Sequence, residues 1–501
     1  RKFITRHWQP LAAAAAMLVL IVGLAVLYTI RVTQARNDAL AQAARTQRIQ
    51  GFMLNLFQGG DESVGPAEDL RVITLVDRGV QEASSLAAEP TVQAELYLTL
   101  GRIYQQLGQF DRSTVLLTSA LERRRALFGP EHPEVAESLV ALGTLRTSQA
   151  QFDEAERLAR EGLEMSRRTL PPDHPAVAKA SAEFGRILTD RGKYTEAIPV
   201  LDEAVRLQSA PGTLTADLAN SVSELAVTTF YAGRYDESRS LNERALTMFR
   251  GLYGEQHPMV ADTLINLGAI HLEQGRHADA ERLDRQALAI KESWHGRNHP
   301  DTAAVMTLLG RAMIPQGKIE DAATIMREAL AIQERVYGKV HPRVASALNE
   351  LGIVAVRQDK LDEAVARFTR MAEIYRELHN DRHYLIGIAL SNLAGIHQQR
   401  GEYGRAEEVF RDVLRRYAET LSAEHQLVGI AHARLGRALV GQRRYADAER
   451  ETRKGYEILM KQTSPPLRWL DVAREDLATI HAVLGNPVQA AAFRAQLGKN
   501  K

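Results

Sequence analysis

The fold class this sequence predicts is all-α: a right-handed superhelical solenoid of about ten helix-turn-helix repeats, preceded by one transmembrane helix. Three observations predict it. A leucine-like residue followed by Gly or Ala recurs at Leu100-Gly101, Leu142-Gly143, Phe184-Gly185, Leu225-Ala226, Leu267-Gly268, Leu309-Gly310, Leu351-Gly352, Leu393-Ala394, Leu435-Gly436 and Leu477-Ala478; eight of the nine intervals are 42 residues and one is 41. A turn position follows seven residues after each Gly or Ala and is filled by glycine in most repeats. A run of twenty uncharged residues, Leu11 to Ile30, stands near the amino end.

Composition bounds the function class. Across 501 residues, Lys+Arg 63 face Asp+Glu 62, so no strong field draws the whole chain to nucleic acid and no nucleic-acid partner is expected. Cysteine is absent, which excludes disulfides, thiol catalysis and Cys-based zinc sites.

Residues 1–10 read as a basic cytoplasmic flank and residues 11–30 as the transmembrane helix. Twenty residues at about 1.5 Å each span the roughly 30 Å hydrocarbon core, and Trp8 and Tyr28 stand near the two ends, where interfacial aromatics belong. The alternatives are a buried helix or a cleaved signal peptide, whose apolar core of about 7–15 residues ends in a small-residue site; here the run is longer and Arg31-Val32-Thr33-Gln34-Ala35 is a poor site. Arg1, Lys2 and Arg6 without an acid slightly favour a cytoplasmic amino side. The expectation is therefore a single-pass protein of the inner (plasma) membrane, attached through residues 11–30, with extracytoplasmic (periplasmic) repeats. Residues 31–88 read as juxtamembrane and capping helices, broken at Gly59-Gly60-Asp61 and Gly65-Pro66, with a further helix over about 68–87. Residues 89–497 are the repeat array.

Each repeat reads as two antiparallel helices. Helix A carries the Leu-Gly/Ala pair, and its end is marked by Gly108, Gly192, Gly233, Gly275, Gly317, Gly401 or Gly485, a residue able to take the left-handed conformation that closes a helix. Ala150, Asp359 and Arg443 depart from that pattern. Helix B opens with acid, as in Asp153-Glu154-Ala155, where the helix dipole favours it. Mid-helix glycine costs about 1 kcal/mol relative to alanine, so the glycine of each pair implies close approach of helix A to helix B. Pro315 is expected to shorten helix A of the sixth repeat, and the deletion with Pro211-Gly212 to disturb the chain before the fourth.

These residues resemble the tetratricopeptide repeat. The 42-residue period and the phrases Phe128-Gly129-Pro130-Glu131-His132-Pro133, Tyr253-Gly254-Glu255-Gln256-His257-Pro258, His295-Gly296-Arg297-Asn298-His299-Pro300 and Tyr337-Gly338-Lys339-Val340-His341-Pro342 are similar to the long variety found in kinesin light chains. The resemblance covers about residues 90–490 and implies a scaffold that holds a protein or peptide in a concave groove lined by A helices.

The histidines His132, His174, His257, His299, His341, His383 and His425 recur once per repeat, and packed helices lie about 8–10 Å apart. Ligands on one zinc lie only about 2.0–2.1 Å from it, so the ladder reads as helix-start residues and no metal is expected. Candidate groove residues stand beside the Leu-Gly pair: Asn266, Asn349 and Asn392, whose amides donate and accept toward a peptide backbone, and Arg102, Arg186, Arg311 and Arg437, which fork onto carboxylates. Comparable asparagines hold peptides in kinesin-light-chain-like arrays, and the resemblance carries that role over by position only; a wet polar helix face is the alternative.

No catalytic residue and no cofactor are expected. The Gly-Lys pairs at 192, 317, 338 and 498 lack the Ser or Thr and the spacing of a phosphate loop. A second resemblance lies at the amino end: Arg1-Lys2-Phe3-Ile4-Thr5-Arg6-His7, Gly51-Phe52-Met53-Leu54-Asn55-Leu56-Phe57, Asp77-Arg78-Gly79 and Glu89-Pro90-Thr91-Val92-Gln93-Ala94 are similar to the region after the catalytic domain of bacterial transmembrane Ser/Thr kinases. It implies a sensing or docking region for a kinase whose catalytic domain is not in this chain, and a start at Arg1 without Met fits such a piece. Self-association is compatible with that role. A free-standing membrane-anchored scaffold is the alternative, and an enzyme with an unrecognised groove site the third reading.

Overall fold

The computed structural model describes residues 17, 23–24, 26–33, 36, 46–48, 72–149, 151–210, 212–379, 381–462 and 466–497. From Val72 to Arg494 it contains twenty-one α-helices and, among the described residues, no strand. The chain forms two compact units, residues 1–191 and 192–501. The first holds α1 (Val72–Ser85), α2 (Pro90–Gln106), α3 (Phe110–Phe128), α4 (Pro133–Ser148), α5 (Phe152–Thr169) and α6 (Pro175–Asp190). The second begins with α7 (Tyr194–Ser209), α8 (Ala216–Tyr231), α9 (Tyr235–Tyr253), α10 (Pro258–Glu273), α11 (His277–His295), α12 (Pro300–Met313) and α13 (Ile319–Tyr337). It continues with α14 (Pro342–Arg357), α15 (Leu361–His379), α16 (Tyr384–Gln399), α17 (Tyr403–Thr420), α18 (Gln426–Gly441), α19 (Tyr445–Met460), α20 (Leu467–Val483) and α21 (Pro487–Arg494). From α2 onward the even-numbered helices are the A helices and the odd-numbered ones the B helices.

The transmembrane helix expected over residues 11–30 is corrected. Among the described residues no helix is long and apolar enough to cross a membrane. A crossing helix needs about 20 residues at about 1.5 Å each to span a roughly 30 Å core. Of residues 11–30 only 17, 23–24 and 26–30 are among the described residues, and residues 1–10 and the phrase Gly51 to Phe57 lie outside them.

Helix A meets helix B closely at the glycine of six of the pairs. A Cβ built on Gly143 would lie 3.0 Å from the Ala155 carbonyl oxygen, and one on Gly352 would lie 2.5 Å from the Phe368 ring. The residue filling this space changes along the array: Leu117 against Gly101, Asp284 against Gly268, Met326 against Gly310. In the first unit the contact extends into a core of fully buried Leu96, Leu98, Leu117, Leu139 and Leu145, each contributing about 1.5–3 kcal/mol of hydrophobic stabilisation. Arg124 on α3 is fully buried there and binds Glu95 of α2 at 2.5 Å and Glu134 and Glu137 of α4 at 3.2 Å, joining three helices.

Turns between A and B use the left-handed conformation. Gly275, Gly401 and the other turn glycines have φ of 72–78°. Asp359 and Arg443 adopt φ of 58° and 62° in the same place, so the turn is set by the packing of its helices even where its residue disfavours it. Ala150 lies outside the described residues. Pro315 ends α12 at Met313, and the chain continues as the 3₁₀ turn Ile314–Gln316, because proline supplies no N–H to an α-helix.

The histidine ladder starts the A helices. In His132, His174, His257, His299, His341, His383 and His425, Nδ1 accepts from the backbone N–H two residues on, at 3.1–3.2 Å. This is an N-cap made by an imidazole, worth about 1 kcal/mol by analogy with other side-chain caps. The aromatic residue at the end of the preceding B helix stacks on it: Phe128 on His132 at 4.4 Å, Tyr253 on His257 at 4.3 Å and Tyr337 on His341 at 4.1 Å. The fourth repeat lacks the histidine, and Thr215 caps α8 by accepting from Leu218 N–H at 3.2 Å.

Neighbouring repeats are joined by carboxylates, buried Glu281 and half-buried Glu407. Glu281 of α11 accepts from Gln316 at 2.6 Å and Lys318 at 2.7 Å. Three repeats later Glu407 accepts from Gln442 and Arg444, both at 2.8 Å. Burial pushes the Glu281 carboxyl up, but the Lys318 and Gln316 donors and the Arg285 charge outweigh it and hold it below the usual range.

Candidate functional site

Successive A helices of the second unit open into a cleft of about 630 Å³. Ile353 and Val356 of α14, Phe368 of α15 and Ile396 of α16 give it an apolar lining; Asn392 and Gln399 add amides, and Arg357, Arg434, Arg468 and Trp469 complete it. This combination of apolar surface with a few convergent polar groups is the usual make-up of a ligand site. In the first unit two clefts of about 470 and 370 Å³ share Arg102, Lys179 and Glu183.

The structure brings some of the sequence-derived groove residues together. Asn392 donates to the Asn349 Oδ1 at 3.0 Å, and Asn349 donates to Glu350 at 3.3 Å, so the two amides form a chain along adjacent A helices, with Asn392 in the cleft. Asn266 is half-buried on α10 and lines none of these three clefts. Arg102 and Arg186 share the larger cleft of the first unit; Arg102 pairs with Glu137 at 3.2 Å, and Arg186 with Glu183 at 2.9 Å. Arg437 is held by Asp476 at 3.0 Å. Arg311 is exposed, and its charge acts on Asp284 and Glu350. Burial pushes the Asp284 carboxyl up to about 7, with Arg311 opposing.

Arg434 was not singled out by the sequence. It immediately precedes Leu435-Gly436, the register of Asn266 and Asn392, and is the one cation at that register among the ten repeats. Its guanidinium carbon lies 5.1 Å from the centre of the Phe410 ring and 5.4 Å from that of Trp469. Nη1 donates to Ser391 Oγ at 2.8 Å. A Cβ on Gly395 would collide with Nη2, so glycine there makes room for the guanidinium. Loss of hydration pulls the Arg434 pKa down to about 10; the Arg468 and Arg437 charges act the same way, and the Tyr417 phenol opposes them.

One histidine cluster has spacing compatible with a metal: His295, His299 and Asp301. Its imidazoles stack in near-parallel planes, 4.3 Å apart and 14° inclined, so their in-plane lone pairs run side by side instead of converging on one ion. His299 Nδ1 is already engaged by the Asp301 N–H at 3.1 Å. The pair therefore continues the cap-and-stack arrangement of the other repeats.

A family model described as the tetratricopeptide repeat matches residues 92–168, 216–293, 314–377 and 385–461, more than half of the chain. A second model of the same description matches residues 140–212. No curated protein matches. Among solved structures, the apo quorum sensor NprR from B. thuringiensis is 12% identical, covering 75% of this chain and 99% of its own, with a TM-score of 0.51. BtubC (BKLC) from P. vanneervenii is 21% identical over 50% of this chain and 93% of its own, with a TM-score of 0.37. A Rap protein complexed with competence and sporulation factor is 16% identical over 73% and 97%, with a TM-score of 0.49.

Proposed function

The chain belongs to the tetratricopeptide repeat family, and from that premise we propose that it is a binding scaffold whose second unit holds an extended peptide along its A helices. The observation that carries this reading is the cleft across α14, α16, α18 and α20, with Asn392 in its wall and hydrogen-bonded to Asn349. Asparagine amides offer a donor and an acceptor to a peptide backbone whatever its sequence, and the apolar lining accepts a side chain. The test is fluorescence anisotropy with labelled degenerate decapeptides on the wild type and on Asn266→Ala/Asn349→Ala/Asn392→Ala. The triple variant keeps its helical circular dichroism and loses binding by about tenfold, the scale of about 1.4 kcal/mol. Unchanged binding removes the asparagines from the site.

A finer reading is that this scaffold is the sensing or docking region of a bacterial Ser/Thr kinase. It is supported by the sequence phrases Asp77-Arg78-Gly79 and Glu89 to Ala94. Reading the coding DNA upstream of Arg1 tests it: a frame with a Gly-rich loop, His-Arg-Asp and Asp-Phe-Gly supports it, and a start codon without them withdraws it.

A further inference from the structure

A recurring clasp joins successive repeats along their stacking face. The residue six positions after the Gly or Ala of a Leu-Gly/Ala pair reaches back to the B helix of the preceding repeat. Its acceptor there stands ten or thirteen positions after that repeat's own Gly or Ala. Gln316 donates in this way to Glu281 at 2.6 Å, Gln358 to Glu320 at 2.6 Å and Arg400 to Asp362 at 2.5 Å, and the contact is present at six junctions. In each of the first nine repeats at least one of the two accepting registers holds a hydroxyl or charged residue, from Asp111 in the first to Glu449 in the ninth.

The tenth repeat departs from this. Its two registers hold Val488 and Ala491, both exposed on α21. The inner side of α21 carries buried Ala490 and half-buried Phe493, whose ring stacks on His481 at 5.8 Å, inclined by 2°. Outward it presents Val488, Ala491 and Ala492, followed by Ala495, the i, i+3, i+4, i+7 spacing of one helix face. Val488 is 82% exposed, and Val483 and Leu484, where α20 ends, are 54% and 43% exposed. A repeat whose outer face meets water carries polar residues there; this one carries apolar residues in the registers where the other nine are polar.

The first repeat is covered differently. Asp77 of α1 accepts from Arg112 at 2.6 Å and from the Tyr104 hydroxyl, and Gln93 donates to the Ala83 carbonyl at 2.8 Å. Copies stacked head to tail would have to displace α1, whereas a two-fold pair uses the α21 face twice.

We propose that the outer face of α21 is a self-association surface, through which two copies of this chain pair about a two-fold axis. The axis passes between Ala491 and Ala492, with the two helices antiparallel. Val488 then lies over Ala495 of the second copy, and Arg494 stands beside Gln489, whose side-chain carbonyl accepts from the guanidinium. The alanines let the backbones approach closely. A face of this size gives a weak dimer that forms as concentration rises.

Sedimentation equilibrium and disulfide trapping on the full chain test this. Wild type passes from monomer to dimer between about 1 and about 100 μM. Val488→Asp/Ala491→Glu changes exposed side chains and returns acids to the two registers; it keeps the thermal melt and weakens dimerisation by about tenfold or more. The chain has no cysteine, so Ala492→Cys reports the contact without interference. Mild oxidation links it into dimers, because a disulfide needs Cα atoms within about 4.4–6.8 Å, a separation that a close two-fold contact provides. Glu408→Cys, exposed on α17, stays unlinked. A wild type that is monomeric throughout, a dimer that survives the charged substitutions, or equal trapping at 408 and 492 overturns the proposal. Should the charged variant not fold, the trapping alone decides. None of these outcomes touches the peptide reading.

Discussion

Replacing His341 by alanine removes an acceptor from the first turn of α14 and a ring from Tyr337. The imidazole accepts from Arg343 N–H at 3.2 Å and stacks on Tyr337 at 4.1 Å, inclined by 6°. Loss of the cap costs about 1 kcal/mol, and loss of the aromatic contact adds about 0.5–1.5 kcal/mol. His341→Ala is therefore expected to lose about 1.5–2.5 kcal/mol at pH 7.5. A repeat array unfolds by neighbouring units, so hydrogen exchange of peptides covering α14 is the assay, with a urea melt beside it. The cap also sets a pH dependence. Burial lowers the pKa of His341, His383 and His425, and Arg343 lowers that of His341 further. Their folded forms thus bind protons less readily than the unfolded chain, whose histidines titrate near ~6.5. Their contribution is complete above that pH and is lost as pH falls through it toward the folded pKa values. Protonation also silences the Nδ1 acceptor and sets a positive charge at the positive end of the helix dipole. His341→Asp restores an acceptor that stays ionised at pH 5.5, so exchange in α14 becomes less sensitive to a step from pH 7.5 to 5.5. An alanine variant as protected as wild type, or a wild type more protected at pH 5.5, refutes the reasoning.

Gly455→Ala gains about 1 kcal/mol of helix propensity, but its Cβ would lie 2.6 Å from the Gly429 carbonyl oxygen and 2.7 Å from Ala433 N. Backbone cannot rotate away, so overpacking of about 1–3 kcal/mol prevails and a urea melt shows net destabilisation; a gain would mean that the helices stand further apart. Arg443→Gly relieves a residue held at φ 62° and stabilises by about 1 kcal/mol, read as a higher urea midpoint. A lower midpoint would show that the arginine side chain contributes more than the strain costs.

The period of the fold was open to reading because its cause is local. A glycine inside a helix at Leu-Gly needs a close neighbour, and Gly101, Gly143, Gly268, Gly310, Gly352 and Gly436 each find one on helix B. The histidine caps were legible for a similar reason: His-Pro at a helix start leaves few conformations, and the structure adds only the identity of the accepting atom. Asp359 and Arg443 were legible as departures from glycine, yet their left-handed backbone was not, because helix packing imposes it on both. Pro199 lies inside α7 on its exposed face, a helix that continues through a residue usually taken as a stop. The apolar run Leu11 to Ile30 was read as a membrane span from length and hydropathy, and among the described residues no helix is long and apolar enough for one. Arg434 escaped notice because its meaning lies in a pair: only beside Gly395, one repeat away, is it a cation without a carboxylate.

The most direct test of the account places a photo-crosslinking benzoylphenylalanine at Gln399, in the wall of the cleft, and separately at Glu408, exposed on α17 and outside it. The labelled decapeptide pools are irradiated with each protein, and the adducts are located by mass spectrometry. The account predicts adducts from position 399 that unlabelled peptide competes away, with none from position 408. Equal capture at both positions, or capture at 408 alone, contradicts a peptide held along the A helices.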